Sequence, residues 1–234
     1  MTKMLAVVSG KGGVGKSVFV SLLAARLSKN NCVLIADFDL TGPSNVFGAQ
    51  GVVKKSGTGL TPLKISNNLH FLSMSSLVNE KDAVIWRTPK KLQLLEMFFN
   101  SCGSYDYVLF DTPPGITIVH KFLNSKESIK YLLVTTSQNV AVNDSINTIY
   151  FFNSNAFIGI VENMSGLKCK KCSKNNLIFS KNGGKLLSDD FKIPFLGTIE
   201  IESNLSDAIE RGTLLEEIET FKAVETIDAI IEKM

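Results

Sequence analysis

The octapeptide Gly10-Lys11-Gly12-Gly13-Val14-Gly15-Lys16-Ser17 constrains this chain more than any other segment. It follows a continuous apolar stretch, Met4 to Val8, that reads as a strand buried on both faces. It precedes Ser17 to Ser28, where Val18, Val20, Leu22, Leu23, Ala25 and Leu27 predict a helix too apolar for a free surface. The spacing is G-x-x-x-x-G-K-[ST], in the setting between strand and helix that its mechanics require. Glycines let backbone N–H groups converge on phosphate oxygens, and the helix N-terminus adds unpaired donors and a favourable dipole. Lys16 would neutralise the terminal phosphates of ATP, and the Ser17 hydroxyl would hold the Mg²⁺ that bridges them.

The remaining pattern continues the alternation. Cys32 to Ala36, Leu69 to Met74, Tyr107 to Phe110, Tyr131 to Val134, Phe157 to Val161 and Phe195 to Gly197 are short apolar runs. Between and after them, Pro89–Asn100, Asn143–Asn153, Gly184–Phe191, Ser203–Arg211 and Thr220–Lys233 carry helical spacing. Strands alternating with helices predict an α/β fold, a mostly parallel sheet flanked by helices on both faces, with 1–234 as a single domain. Gly48–Ser66 and Ser165–Asn176 read as irregular loops.

Charge and apolar content exclude several classes. The net charge of +3 on 234 residues does not point to nucleic acid or an anionic membrane as a partner. No apolar run approaches the roughly 18 residues a membrane span needs, and the first one is no signal-peptide core, so a cytoplasmic protein is expected. Residues 216–234 carry a net −4, which anionic lipid would repel. Two histidines far apart in sequence, His70 and His120, rule out a histidine-rich metal site.

Nucleotide hydrolysis needs a metal-organising carboxylate near the loop. Asp111 follows the strand Tyr107 to Phe110 directly, and Thr112-Pro-Pro-Gly115 would then bring a backbone N–H near the γ-phosphate. Asp37 and Asp39 end the second strand in the same way. One aspartate at a strand end is ordinarily a solvated turn residue, but three beside a phosphate loop form a pattern.

Lys11, beside the loop's first glycine, makes the variant KGGVGKS, which resembles the MinD/ParA superfamily of dimeric P-loop ATPases. Three further segments, Asp37-Phe-Asp-Leu-Thr-Gly-Pro-Ser44, Asp111-Thr-Pro-Pro-Gly115 and Val161-Glu-Asn-Met-Ser165 leading into Cys169-Lys-Lys-Cys172, narrow it. With Pro194-Phe-Leu-Gly197 they resemble the Mrp/ApbC-type iron-sulfur cluster carrier ATPases, over nearly the whole chain. The resemblance implies a homodimer with ATP sandwiched between subunits and Lys11 reaching the partner's phosphates. It implies that Lys16 and Ser17 bind phosphate and Mg²⁺, that Asp39 helps place the attacking water, that Asp111 is the Mg²⁺-side carboxylate and that Asn163 recognises the base. Two departures stand out. Val18 replaces a threonine that would touch the α-phosphate, a loss of about 1 kcal/mol, and Ile116-Thr-Ile-Val119 stands where acidic residues are usual, so slow hydrolysis is expected.

Cys169 and Cys172 are spaced for one metal or one edge of a cluster, but four thiolates are needed. Two such pairs facing each other across a two-fold axis would supply them, placing the loop 165–176 near that axis. Lys168, Lys170, Lys171 and Lys174 would favour thiolate and offset a cluster's negative charge. Cys32 and Cys102 read as core or near-surface thiols. A bridging zinc and an idle thiol pair are the alternatives to the transferable [4Fe-4S] cluster that the resemblance implies, with apo iron-sulfur proteins as clients. A positioning or partitioning ATPase is the alternative function.

Overall fold

In a computed structural model, residues 2–38, 46–47, 54–56, 59–77, 88–169, 171–172, 174–179 and 182–234 are described. Asp39 and Lys170 lie outside the described residues, as does most of the segment that follows Asp37.

Six strands form the parallel heart of one sheet: β1 (Lys3–Val8), β2 (Val33–Asp37), β6 (Leu69–Ser73), β7 (Tyr107–Asp111), β8 (Ile129–Thr135) and β9 (Phe157–Lys168). Their order is β9-β8-β1-β7-β2-β6, with β11 (Phe195–Ile201) parallel on β9. Two short antiparallel strands finish the edges, β5 (Leu63–Lys64) on β6 and β10 (Asn175–Asn176) on β9. A separate pair, β3 (Lys54–Ser56) and β4 (Gly59–Thr61), is antiparallel.

Alternation along each strand divides the core into two layers. Leu5, Val7, Ile35, Leu109 and Leu132 face one side, where α1 (Lys16–Leu27) and α8 (Ala223–Ile231) pack. Ala6, Val8, Leu34, Phe110 and Leu133 face the other. That layer is covered by α2 (Thr88–Asn100), α3 (Ile118–Asn124), α4 (Asn139–Phe152) and α5 (Gly183–Phe191). The short helices α6 (Ser203–Arg211) and α7 (Leu214–Glu217) join the first layer. The dense apolar content expected of the first helix is thus met by burial between sheet and α8.

The C-terminal helix places Val224, Ile227 and Ile230 in the core and is tied to α1 by Arg26, whose Nε and Nη2 donate to the two Asp228 carboxylate oxygens at 2.6 and 3.0 Å. Its apolar face is therefore used within the fold. No described helix is long and apolar enough to cross a membrane.

Both expected loops need correction. The described part of Gly48–Ser66 contains β3, β4 and β5. Within Ser165–Asn176, β9 continues to Lys168 and returns through β10, pairing Asn175 with Lys168 and Asn176 with Leu167. Strand pairing there is made by the main chain, so polar side chains do not prevent it. Helix α4 starts four residues before the expected Asn143, with a first turn, Asn139 to Val142, in which Val140 is exposed and Ala141 buried.

Candidate functional site

The site lies where β1, β7 and β2 end side by side. Register places Val7 beside Asp111, and Asp111 beside Asp37. The phosphate loop leaves β1 here and enters α1 through Gly15, whose φ of 81° is the left-handed conformation that glycine adopts without strain. A side chain at Gly15 would also collide with the Asn163 amide.

The loop is held on three sides. Asn163 Nδ2 donates to the Val14 carbonyl at 2.8 Å. Across the loop, the Gly115 N–H donates to the Ser9 carbonyl at 3.0 Å and the Thr112 hydroxyl to the Val7 carbonyl at 2.8 Å. The backbone of α4 closes the third side so tightly that a Cβ on Gly10 would fall on the backbone of Asp144 and Ser145.

Buried Lys16 forms an ion pair with buried Asp111. Asp37 is also buried and accepts a hydrogen bond from Ser73 Oγ at 2.9 Å. Desolvation of two charges is offset here only by their mutual attraction and by neighbouring donors, so phosphate oxygens arriving at Lys16 have a carboxylate to displace. Ser17 lines the cavity of the loop, and Asp37 and Asp111 stand side by side at the neighbouring strand ends; all three carry hard oxygen donors, the chemistry that Mg²⁺ selects.

Two cavities meet at this loop. One of about 330 Å³ is lined by Lys11, Gly12, Gly13, Lys16, Ser17 and Pro114 among others. A second, of about 180 Å³, is lined by Phe19, Leu22, Asn163, Met164, Ile199 and Leu205 among others, and shares Gly15 and Val18 with the first. The first offers backbone N–H groups and ammonium, the second mostly apolar walls with the Asn163 amide, Ser206 and the carboxylates Glu200 and Glu202 at its margin, a division that suits a phosphate chain and a planar base with N–H donors. Asn163 lines the second cavity with its Nδ2 already engaged on the loop.

His120 sits at the third position of α3 and completes the turn's cap. Its Nδ1 accepts the Thr117 N–H at 3.1 Å, which puts the ring proton on Nε2, a buried atom without a partner among the described residues. Burial first, and the nearby Lys16 charge second, push its pKa down to about 4. An aromatic nitrogen thus does the capping work that a carboxylate commonly does.

The paired cysteines stand apart from the phosphate loop, at the tip of the hairpin between β9 and β10. The Cys169 N–H donates to the Lys174 carbonyl at 2.9 Å and closes the turn. Cys169 is half-buried and Cys172 exposed, both as free thiols. The Cys169 thiol is shifted toward thiolate by the backbone N–H of Cys172 and then of Lys171, so main-chain donors rather than lysine charges are the leading cause. Cys102 is fully buried, its thiol pushed up to about 12 by desolvation, and is a core residue.

Three residues at the site escape a reading of the sequence. Gln138 Oε1 accepts a hydrogen bond from Lys11 Nζ at 2.9 Å. Ser73 reaches Asp37 from the neighbouring strand, and buried Glu162 accepts the Gly184 N–H at 2.8 Å to start α5. Only the polar run Thr135 to Gln138 after an apolar strand hints at the first of these.

A family model described as ParA, NUBPL iron-transfer P-loop NTPase, matches residues 1–234. The chain belongs to that family. It is a P-loop ATPase on a MinD/ParA-type fold. Among curated relatives, a protein named cytosolic Fe-S cluster assembly factor NUBP2 homolog from Nematostella vectensis is 36% identical over 249 residues, covering 99% of this chain and 92% of the relative. The homolog of the same name from Dictyostelium discoideum is 41% identical over 221 residues, covering 88% and 83%. Among solved structures, a nucleotide-binding protein from Archaeoglobus fulgidus in complex with ADP superposes with a TM-score of 0.72 at 28% identity, over 91% of this chain and 87% of that one. The septum site-determining protein MinD of Pyrococcus horikoshii, complexed with Mg-ADP, gives 0.69 at 22% identity over 98% and 94%, a likeness of fold. In this chain the phosphate loop, the carboxylates and the thiol hairpin belong to one sheet, on β1, on β7 and β2, and beyond β9 respectively.

Proposed function

We propose that this protein is an ATP-dependent iron-sulfur cluster carrier that acts as a homodimer in the cytosol. Each subunit contributes Cys169 and Cys172 to one bridging [4Fe-4S] cluster, which is cargo for apoproteins. ATP and Mg²⁺ bind at Gly10–Ser17, with Asp111 and Asp37 on the metal side, Asp39 placing the attacking water, Gly115 N–H near the γ-phosphate and Asn163 beside the base. Lys11 acts on the partner's nucleotide.

The observation that carries this reading is the placement of the two thiols at an exposed tip of the strand that also touches the phosphate loop. Among the described residues no group of three or more His, Cys, Asp or Glu side chains converges on a metal position, so a four-thiolate site calls for a second chain. Cargo held at an exposed tip is free to leave when two chains part. The relatives' names, cytosolic Fe-S cluster assembly factors, agree with this chemistry and compartment.

Iron, sulfide and zinc measured on anaerobically reconstituted protein test it, beside the Cys169→Ser/Cys172→Ser double variant. About one four-iron cluster per two chains, lost in the variant, is the expected result. Zinc alone, or iron retained by the variant, would overturn the bridging cluster and leave a nucleotide-switched ATPase with other cargo.

A further inference from the structure

Lys11 leaves the phosphate loop at the surface, and its direction is set by Gln138, whose Oε1 accepts from Lys11 Nζ at 2.9 Å. Gln138 stands immediately before α4 in extended backbone, φ −67° and ψ 131°, and its side chain does not cap that helix, which leaves the amide oxygen for Lys11. The spacing between the two residues is rigid. Gly10 abuts the backbone of Asp144 and Ser145 in α4, and Ser145 Oγ bonds to Thr135 Oγ1 at 3.1 Å on the strand that leads to Gln138.

Electrostatics explain why an amide is suited to this place. An ammonium at the start of a helix faces the positive end of the dipole, and the first turn of α4 contains no acidic residue. A carboxylate in place of Gln138 would pair with Lys11 and cancel the charge that a phosphate needs. A neutral oxygen takes one of the ammonium's three N–H donors and leaves two for phosphate oxygens.

We propose that Gln138 is a positioning residue for Lys11, aiming its ammonium so that the two remaining donors meet the nucleotide phosphates of a second copy of the chain. This rests on the reading that Lys11 acts on the partner's nucleotide. Gln138 does not line the cavity at the phosphate loop, so its action is through Lys11.

The test is ATP hydrolysis and ATP-dependent dimer formation, the latter by sedimentation, in Gln138→Ala, Gln138→Glu, Lys11→Ala and the Lys11→Ala/Gln138→Ala double variant. Gln138→Ala is expected to lower kcat about tenfold, the loss of one oriented hydrogen bond to a charged group. The KM for ATP should stay within about twofold, because each chain's own loop still binds the phosphates. Gln138→Glu should lower kcat further by neutralising Lys11. In the Lys11→Ala background, Gln138→Ala should change neither residual rate nor dimer formation. An equal loss in both backgrounds, or an unchanged kcat in Gln138→Ala, would overturn the proposal. Lys11→Ala with wild-type kcat and dimer formation would instead remove the premise, the lysine's action on the partner.

Discussion

Lys16 and Asp111 form the ion pair at the centre of the phosphate loop, both nearly sealed from solvent, with side chains 6% and 4% exposed. Removing one member strands the other, which typically costs about 3 kcal/mol. Asp111→Asn should therefore melt about 6–12 °C below the wild type without nucleotide. Saturating ATP supplies phosphate oxygens to Lys16, so the gap should narrow; a gap that is the same with and without ATP would show that phosphate does not take over Lys16. His120 carries a second residue-scale prediction. It stays neutral in the folded chain down to a pKa of about 4, whereas the unfolded chain takes up a proton near the ordinary value of about 6.5. Stability contributed by this group is thus present above about pH 6.5 and lost as pH falls toward 4, by about 3 kcal/mol over that window. His120→Asn keeps an acceptor for the Thr117 N–H and removes the titration. Denaturant titrations between pH 6.5 and 4 should show a shallower fall for that variant; parallel curves would refute the assignment.

At the scale of elements, β9 and α4 organise the site. β9 carries Glu162, which starts α5, then Asn163, which braces the phosphate loop, and it leads directly into Cys169 at the hairpin tip. Met164, between brace and hairpin, holds a left-handed φ of 56°, where the pairing of β9 with β11 also changes register. α4 presses on the loop from the other side through Gly10. Gly10→Ala sets a methyl against backbone that has no flexible end to yield, so the loop and α4 must separate. The expected cost is about 1–3 kcal/mol of stability, together with weakened ATP binding. Calorimetric titration with ATP checks it; wild-type affinity would show that the α4 contact does not shape the loop.

On the scale of the whole molecule, sheet order decides what meets what. β7 lies between β1 and β2, so Asp111 and Asp37 are brought beside the loop that leaves β1 although they are 74 residues apart in sequence. The hairpin lies at the β9 end of the same sheet and carries two thiols, which in the proposed function are half of a cluster site. ATP should therefore double the mass of the 25.6 kDa chain in light scattering, and ADP should leave it single. A lone chain that holds both ATP and a full cluster would contradict the two-chain arrangement.

Local chemistry alone marked the phosphate loop, the strand-end aspartates, the paired cysteines and the alternation of strands and helices. Each of these depends on residue type and short spacing: glycine where N–H groups must converge, apolar runs where a strand is buried on both faces. Tertiary structure decided what depends on distant chain segments. Gln138 meets Lys11 across 127 residues, and Ser73 meets Asp37 only because β6 is the neighbour of β2. His120 is driven neutral by burial that its own turn does not reveal. The hairpin at Cys169 escaped the pattern because main-chain pairing holds it, with little apolar alternation to signal it. Periodicity reports which face of an element is buried; the order of strands, and so the company each buried polar group keeps, is set only when the layers pack.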